Sequence, residues 1–392
     1  MHCKKNSEQN IRSLMKCTLA TLVVLILSPI SVANDIFIPS SCGDKKSASG
    51  DSILPLSADL VQQLNLLICS NKPRLFNGVV FIGFEGEVLY SLQRGLADQR
   101  VGTAFSDRAR FRIQSNSKQI TAVLALLEAD KGNLDLHSPI SKYLPKLQQQ
   151  WADQVTTHHL LNMSSGIKDL DESLLFEPGS DYFYSNPGYG LIGDILEAIT
   201  QESYADLSKH LFTRLDMHDS GPYVFRGENY LVPGYALQDQ TFAPFDIETL
   251  GMSSDFWRRF TPTGGLISSA KDLLRWENLL HNGRVLSPHL YQQMVSPGPP
   301  ATHAAFGDQM LHYGYGLRVG ERHDVQIIGH AGRGLGYVNT KVYIPDHGIS
   351  LVVLENAYHD TPELVYYYEK EILSLVLKSL RNSRLHLAND NR

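Results

Sequence analysis

Two β-rich hairpins stand near opposite ends of one chain, and neither is stable alone. The first joins runs at 79–84 and 88–92 through Glu85-Gly86-Glu87; the second joins 337–344 and 349–354 through Pro345-Asp346-His347-Gly348. Each junction carries a glycine where a tight turn needs a positive φ. An isolated hairpin is marginal in water, so the two must meet in a shared antiparallel sheet, with a further run at 325–328. Apolar residues at helical spacing over 58–68 (Leu60, Val61, Leu64, Leu67, Ile68), and a helix over about 361–379, supply cover for it. Between the hairpins the pattern is helical and loop-rich. Ile120, Val123, Leu124 and Leu127 share one helical face that Gly132 stops, and Leu191, Ile192, Ile195, Leu196 and Ile199 share another. The fold class is therefore α+β: an antiparallel sheet flanked by N- and C-terminal helices, with a mostly helical second lobe. The expected sheet lobe is about 56–110 and 311–380, the helical lobe about 111–310, and 381–392 a tail. The cleft between lobes is the natural place for a site.

The first 55 residues read as something other than this domain. Lys4, Lys5, Arg12 and Lys16 precede an apolar run at 19–30 that ends in Ser31-Val32-Ala33. A positive region, a short apolar region and small residues describe a secretory signal peptide over 1–33, cleaved after Ala33. The run is about a dozen residues, short of the roughly 20 that span a bilayer. An uncleaved anchor is the alternative. The reading implies a periplasmic or secreted protein with no stable membrane span after cleavage. A polar stretch over 34–55 follows as a mobile arm.

Of four cysteines, Cys3 and Cys17 lie in the segment expected to be removed. Cys42 and Cys69 remain, either as a disulfide pinning the arm to the body or as two unpaired thiols, Cys69 being core. No metal spacing accompanies them: His158-His159 stands without HExxH or CxxC, so no metal and no cofactor is expected. Net charge is −6 with no basic block, which excludes a nucleic-acid partner.

Three short segments carry chemistry. In Phe111-Arg112-Ile113-Gln114-Ser115-Asn116-Ser117-Lys118, a helix starting at Ser115 puts Lys118 one turn on, on the same face. A serine hydroxyl needs a neighbour to take its proton, and a lysine does so once desolvation lowers its pKa. Alone, SxxK equally describes an N-cap serine and a surface lysine. In Tyr184-Ser185-Asn186, a tyrosine beside a lysine can shuttle a proton and an asparagine amide can hold a carbonyl, although a capping turn with a core tyrosine reads the same way. In Gly329-His330-Ala331-Gly332-Arg333-Gly334-Leu335-Gly336, placed just after the strand at 325–328, small residues let a substrate backbone approach, and the Arg333 N–H could complete an oxyanion hole with that of Ser115. Tyr337 stands where GxGxxG needs its third glycine, and GxSxG is absent, which counts against a dinucleotide site and an α/β-hydrolase.

SxxK, YxN and HxG in this order resemble the serine β-lactamase and penicillin-recognising superfamily, in its class C-like branch of esterases and D-alanyl-D-alanine peptidases. Phe111-Arg112-Ile113, His159-Leu160-Leu161 with Ser164-Ser165-Gly166, Phe176-Glu177-Pro178-Gly179, and Gly264-Gly265-Leu266 with Ser268 are similar to its connecting motifs. The resemblance runs over about 77–375. It implies Ser115 as nucleophile, Lys118 as its base, Tyr184 as general base or acid, and Asn186, His330, Gly332 and Arg333 as substrate contacts. The implied function is an exported serine hydrolase acting through an acyl-enzyme on an ester or a D-residue amide or peptide. The alternatives are a β-lactamase proper and a catalytically silent binding module. Two departures stand out. His330 replaces the lysine of many class C β-lactamases, and Gln114 replaces the glycine common before the serine. Arg333 adds a cation suited to a substrate carboxylate.

Overall fold

The computed structural model describes residues 56–223, 230–238 and 240–390. The expected signal peptide, the polar arm and Cys42 lie outside the described residues. Cys69 is disulfide-bonded, its partner lying outside them too.

The chain opens with α1 (Ala58–Cys69), capped by Ser57 Oγ on the Leu60 N–H, and enters the hairpin β1 (Gly78–Phe84) and β2 (Glu87–Arg94). Glu85 and Gly86 both take positive φ, 50° and 87°, in its turn. Next come β3 (Arg110–Arg112), α2 (Ser117–Asp130), α3 (Thr157–Leu161), α4 (Asn186–Thr200) and α5 (Tyr204–Arg214). They are followed by β4 (Gly221–Pro222), β5 (Tyr235–Gln238), β6 (Thr241–Pro244), α6 (Ser254–Gly264), β7 (Leu266–Ser269), α7 (Ala270–His281) and α8 (Pro288–Val295). The chain then returns to strands: β8 (Pro300–His303), β9 (Gly307–Tyr313), β10 (Arg318–Arg322), β11 (Val325–Gly334), β12 (Tyr337–Ile344), β13 (Ile349–Glu355) and β14 (Ala357–Tyr358). The last helices are α9 (Pro362–Val365) and α10 (Tyr367–Asp390).

The hairpins meet as their marginal stability requires. Eight strands form one sheet in the order β2-β1-β13-β12-β11-β10-β9-β8, and β1 pairs antiparallel with β13, Gly78 opposite Glu355 and Phe84 opposite Ile349. Period-two alternation sends Val79, Phe81, Val352 and Leu354 into one core and Val80, Ile82, Leu351 and Val353 into another. The first core is closed by the middle helices, including Ile120, Val123 and Leu274; the second by Leu60, Leu64 and Ile68 of α1 and Ile372, Leu373 and Val376 of α10. Each such aliphatic side chain contributes about 1.5–3 kcal/mol on burial.

Three boundaries differ from expectation. The sheet takes up the chain at 300 rather than 311, because β8 and β9 extend it. The glycine-bearing segment 329–334 is the second half of β11 instead of a stretch just after the strand, since six register pairs with β12 hold it despite its weak strand propensity. The C-terminal helix runs to Asp390, past the apolar pattern, because nothing from 380 onward breaks it.

Candidate active site

Ser115 stands on a single 3-10 turn, Gln114–Asn116, and α2 begins only at Ser117. The helix thus starts two residues later than the sequence pattern suggests. Gln114 holds φ 47°, a left-handed conformation that costs a non-glycine residue about 1–2 kcal/mol. Neighbouring contacts over-determine it. Gln114 Nε2 donates to Gly334 O at 2.9 Å, Asn339 Nδ2 donates to Arg112 O at 3.0 Å, and Asn116 Nδ2 donates to Asn339 Oδ1 at 2.5 Å. Gly332 belongs to this packing. A Cβ there would stand 2.7 Å from Gln114 Cβ and 2.8 Å from Ile113 O, so the glycine makes room for the serine turn.

Lys118 is buried completely, at 0% exposure. Its Nζ lies 3.1 Å from Ser115 Oγ, 2.9 Å from Asn186 Oδ1 and 2.8 Å from Thr263 O. Asn186 opens α4, where Ser185 Oγ caps the Gly188 N–H and Pro187 fits the first turn. Thr263 closes α6, and its carbonyl was invisible to motif reading because a backbone acceptor has no side-chain signature. No carboxylate bridges Lys118 among the described residues, and desolvation holds its pKa well below the usual lysine value.

The partly buried ring of Tyr184 lies 4.8 Å from Lys118 Nζ. Burial pushes its phenol pKa up, opposed by a hydrogen bond with Ser115 and by the charge of Arg318. The structure places Ser115, Lys118, Tyr184 and Asn186, expected from the sequence, around one point.

Sequence reasoning served His330 and Arg333 less well. His330 Nδ1 faces its neighbour's carbonyl, Ala331 O, at 2.7 Å and must donate to it. In the neutral ring Nε2 is then an acceptor, and Tyr313 Oη donates to it at 2.9 Å. Burial first, then the charge of Arg318, push the ring's pKa well below 6.5, so it stays neutral. No ring nitrogen remains for a ligand. Arg333 is exposed, with its guanidinium 5.9 Å from the Tyr366 ring centre. The backbone at 330–334 offers more. Strand β10 pairs with β11 only as far as Gly329, so this stretch has a strand neighbour on one side alone. That leaves an edge open beside the Ser115 turn.

Residues 72–373 match the Beta-lactamase family. The chain belongs to that family. It is 27% identical over 316 residues to a D-aminopeptidase of Brucella anthropi (71% of this chain, 56% of that one). It is 29% identical over 198 residues to the esterase EstB of Burkholderia gladioli (41% and 50%). The chain thus spans only about half the length of these two relatives. The crystal structure of a D-amino acid amidase from Ochrobactrum anthropi SV3 with D-phenylalanine shares the fold at TM-score 0.70 and 23% identity, over 83% of this chain and 100% of that one. The protein is a serine hydrolase of the family. None of the described helices is long and apolar enough to cross a membrane.

Proposed function

We propose that the protein is exported and hydrolyses an ester, or an amide or peptide bond of a D-residue, through an acyl-enzyme on Ser115. One observation carries the reading: the set of partners around Lys118 Nζ. Asn186 Oδ1 and Thr263 O are carbonyl oxygens and can only accept, so they take two hydrogens from the amine. Once the amine is neutral it has no third hydrogen, and its lone pair faces Ser115 Oγ at 3.1 Å, ready to accept the hydroxyl proton. Desolvation favours that neutral form.

Two groups whose surroundings move their pKa values in opposite directions divide the proton work. Lys118, pulled down, is the base; Tyr184, pushed up, rests as a phenol and is the acid. As Ser115 Oγ bonds to the substrate carbonyl carbon, its proton passes to Lys118 Nζ. As the bond to the leaving group breaks, Tyr184 Oη–H gives that group a proton and then recovers one from Lys118. Water repeats the sequence in reverse to release the acid. The Ser115 N–H and the open edge of β11 supply donors for the oxyanion. Asn186, its oxygen on Lys118, keeps its NH2 for a substrate carbonyl. The 1–33 segment supports export, and the amidase and esterase relatives support the substrate class.

A fluorophosphonate probe followed by intact-mass and peptide analysis tests the reading. The expected result is one adduct, on Ser115, absent in Ser115→Ala, on a chain beginning at Asn34. A labelled penicillin should also acylate Ser115 and leave slowly. Fast nitrocefin hydrolysis would make the protein a β-lactamase instead, and labelling by neither probe would make it a silent module.

A further inference from the structure

Arg318 is buried at 3% exposure on β10, one strand away from the 330–334 edge. Its Nη2 donates to Tyr182 Oη at 3.3 Å, its Cζ lies 5.2 Å from the Tyr313 ring centre, and its Nε and Nη1 have no hydrogen-bond partner. No salt bridge reaches it among the described residues. A buried guanidinium normally comes with a carboxylate, because an unpaired buried charge is costly. Here phenols surround it. Tyr182 and Tyr184 both pack on Tyr313, with ring centres 5.9 Å and 6.1 Å apart, and Tyr313 hydrogen-bonds His330.

We infer that Arg318 is a positioning residue for the acid half of the reaction, its unneutralised charge stabilising the negative charge that forms on Tyr184 Oη when that phenol protonates the leaving group. This rests on the acyl-enzyme reading above. Lys118 is neutral at rest and holds the serine proton only transiently, whereas a guanidinium keeps its charge at every working pH. Arg318, which shares the Tyr313 ring with the phenol, is therefore the cation present at every stage, in addition to the transient charge on Lys118. Its charge already opposes the upward push of burial on Tyr184. At an effective dielectric of about 20, any unit charge within about 10 Å of the oxygen changes such a step by on the order of tenfold.

Leaving groups separate this role from a structural one. p-Nitrophenolate departs without a proton, whereas phenolate and alkoxide need one. With uncharged substrates, Arg318→Gln should lower kcat/KM for phenyl acetate about tenfold more than for p-nitrophenyl acetate. In a Tyr184→Phe background the same substitution should change neither. Arg318→Lys keeps the charge and should hold the ratio within about twofold; should Arg318→Gln fail to fold, a tenfold change of ratio in Arg318→Lys overturns the role. Equal losses on both esters, or additive effects of Arg318→Gln and Tyr184→Phe, overturn it while Ser115-dependent turnover leaves the acyl-enzyme reading standing. Turnover that survives Ser115→Ala overturns both.

Discussion

Replacing Glu369 by glutamine should stabilise the protein, by an amount that grows with pH. Glu369 is fully buried on α10. Arg74 commits its terminal nitrogens to Glu355 at 2.8 and 2.6 Å, while Glu369 Oε2 stays 3.8 Å from the same guanidinium, outside hydrogen-bond range. No donor hydrogen-bonds either Glu369 oxygen, while the carboxyl's own proton can be shared with Glu355. Burial, and then the charge of Glu355, hold its carboxyl well above the usual carboxylate range. Unfolded, the group ionises near pH 4.5; folded, it keeps its proton. Above that pH the native state therefore binds one more proton than the unfolded chain, and stability falls as pH rises until the folded pKa is passed. The slope is about 1.4 kcal/mol per pH unit, so the loss between pH 5 and pH 7 is about 2.7 kcal/mol if the folded pKa lies above that window. Glutamine has the same shape and no proton to lose. Urea unfolding of wild type and Glu369→Gln from pH 5 to 8 should show a stability difference that widens with pH at that slope. A difference independent of pH would mean that the folded carboxyl is ionised, and would refute the reasoning.

Two substitutions test the site. Lys118→Met should lower kcat/KM by about 10²–10⁴, the usual worth of a positioned base. It should also stabilise the fold at neutral pH, because burial keeps the amine below its ordinary pKa; the sign reverses that of Glu369, so the gain should shrink as pH rises toward 10.5, which thermal melts across pH would show. Gly332→Ala forces a methyl group against Gln114 Cβ and Ile113 O, so calorimetry should show a loss of about 1–3 kcal/mol, and probe labelling of Ser115 should slow.

What the sequence reveals here follows from where each contact's information is stored. Ser115 and Lys118 are three residues apart on one turn, so their meeting survives even though the helix begins at Ser117. Tyr184 and Asn186 flank Ser185, whose cap on Gly188 is itself a readable helix start. The two hairpins announce themselves through Gly86 and Gly348, both at positive φ. Strands β8, β9 and β10 escaped notice because they are short, interrupted by glycines at 307, 314, 316 and 320, and take their stability from neighbours rather than from pattern.

That blind spot is also where the site was misread. Tyr313 ends β9 and Arg318 begins β10, opposite each other in register. Once both strands join the sheet beside β11, Tyr313 occupies the His330 nitrogen that sequence reasoning had left for a substrate. The same placement brings a guanidinium that no motif contains into a pocket of phenols. The proposed catalytic groups sit in local motifs because their spacing is local. The electrostatic surroundings of these groups are assembled by strand pairing across the sheet, so a chain can keep SxxK and YxN intact while a change at 182, 313 or 318 remakes what Tyr184 packs against.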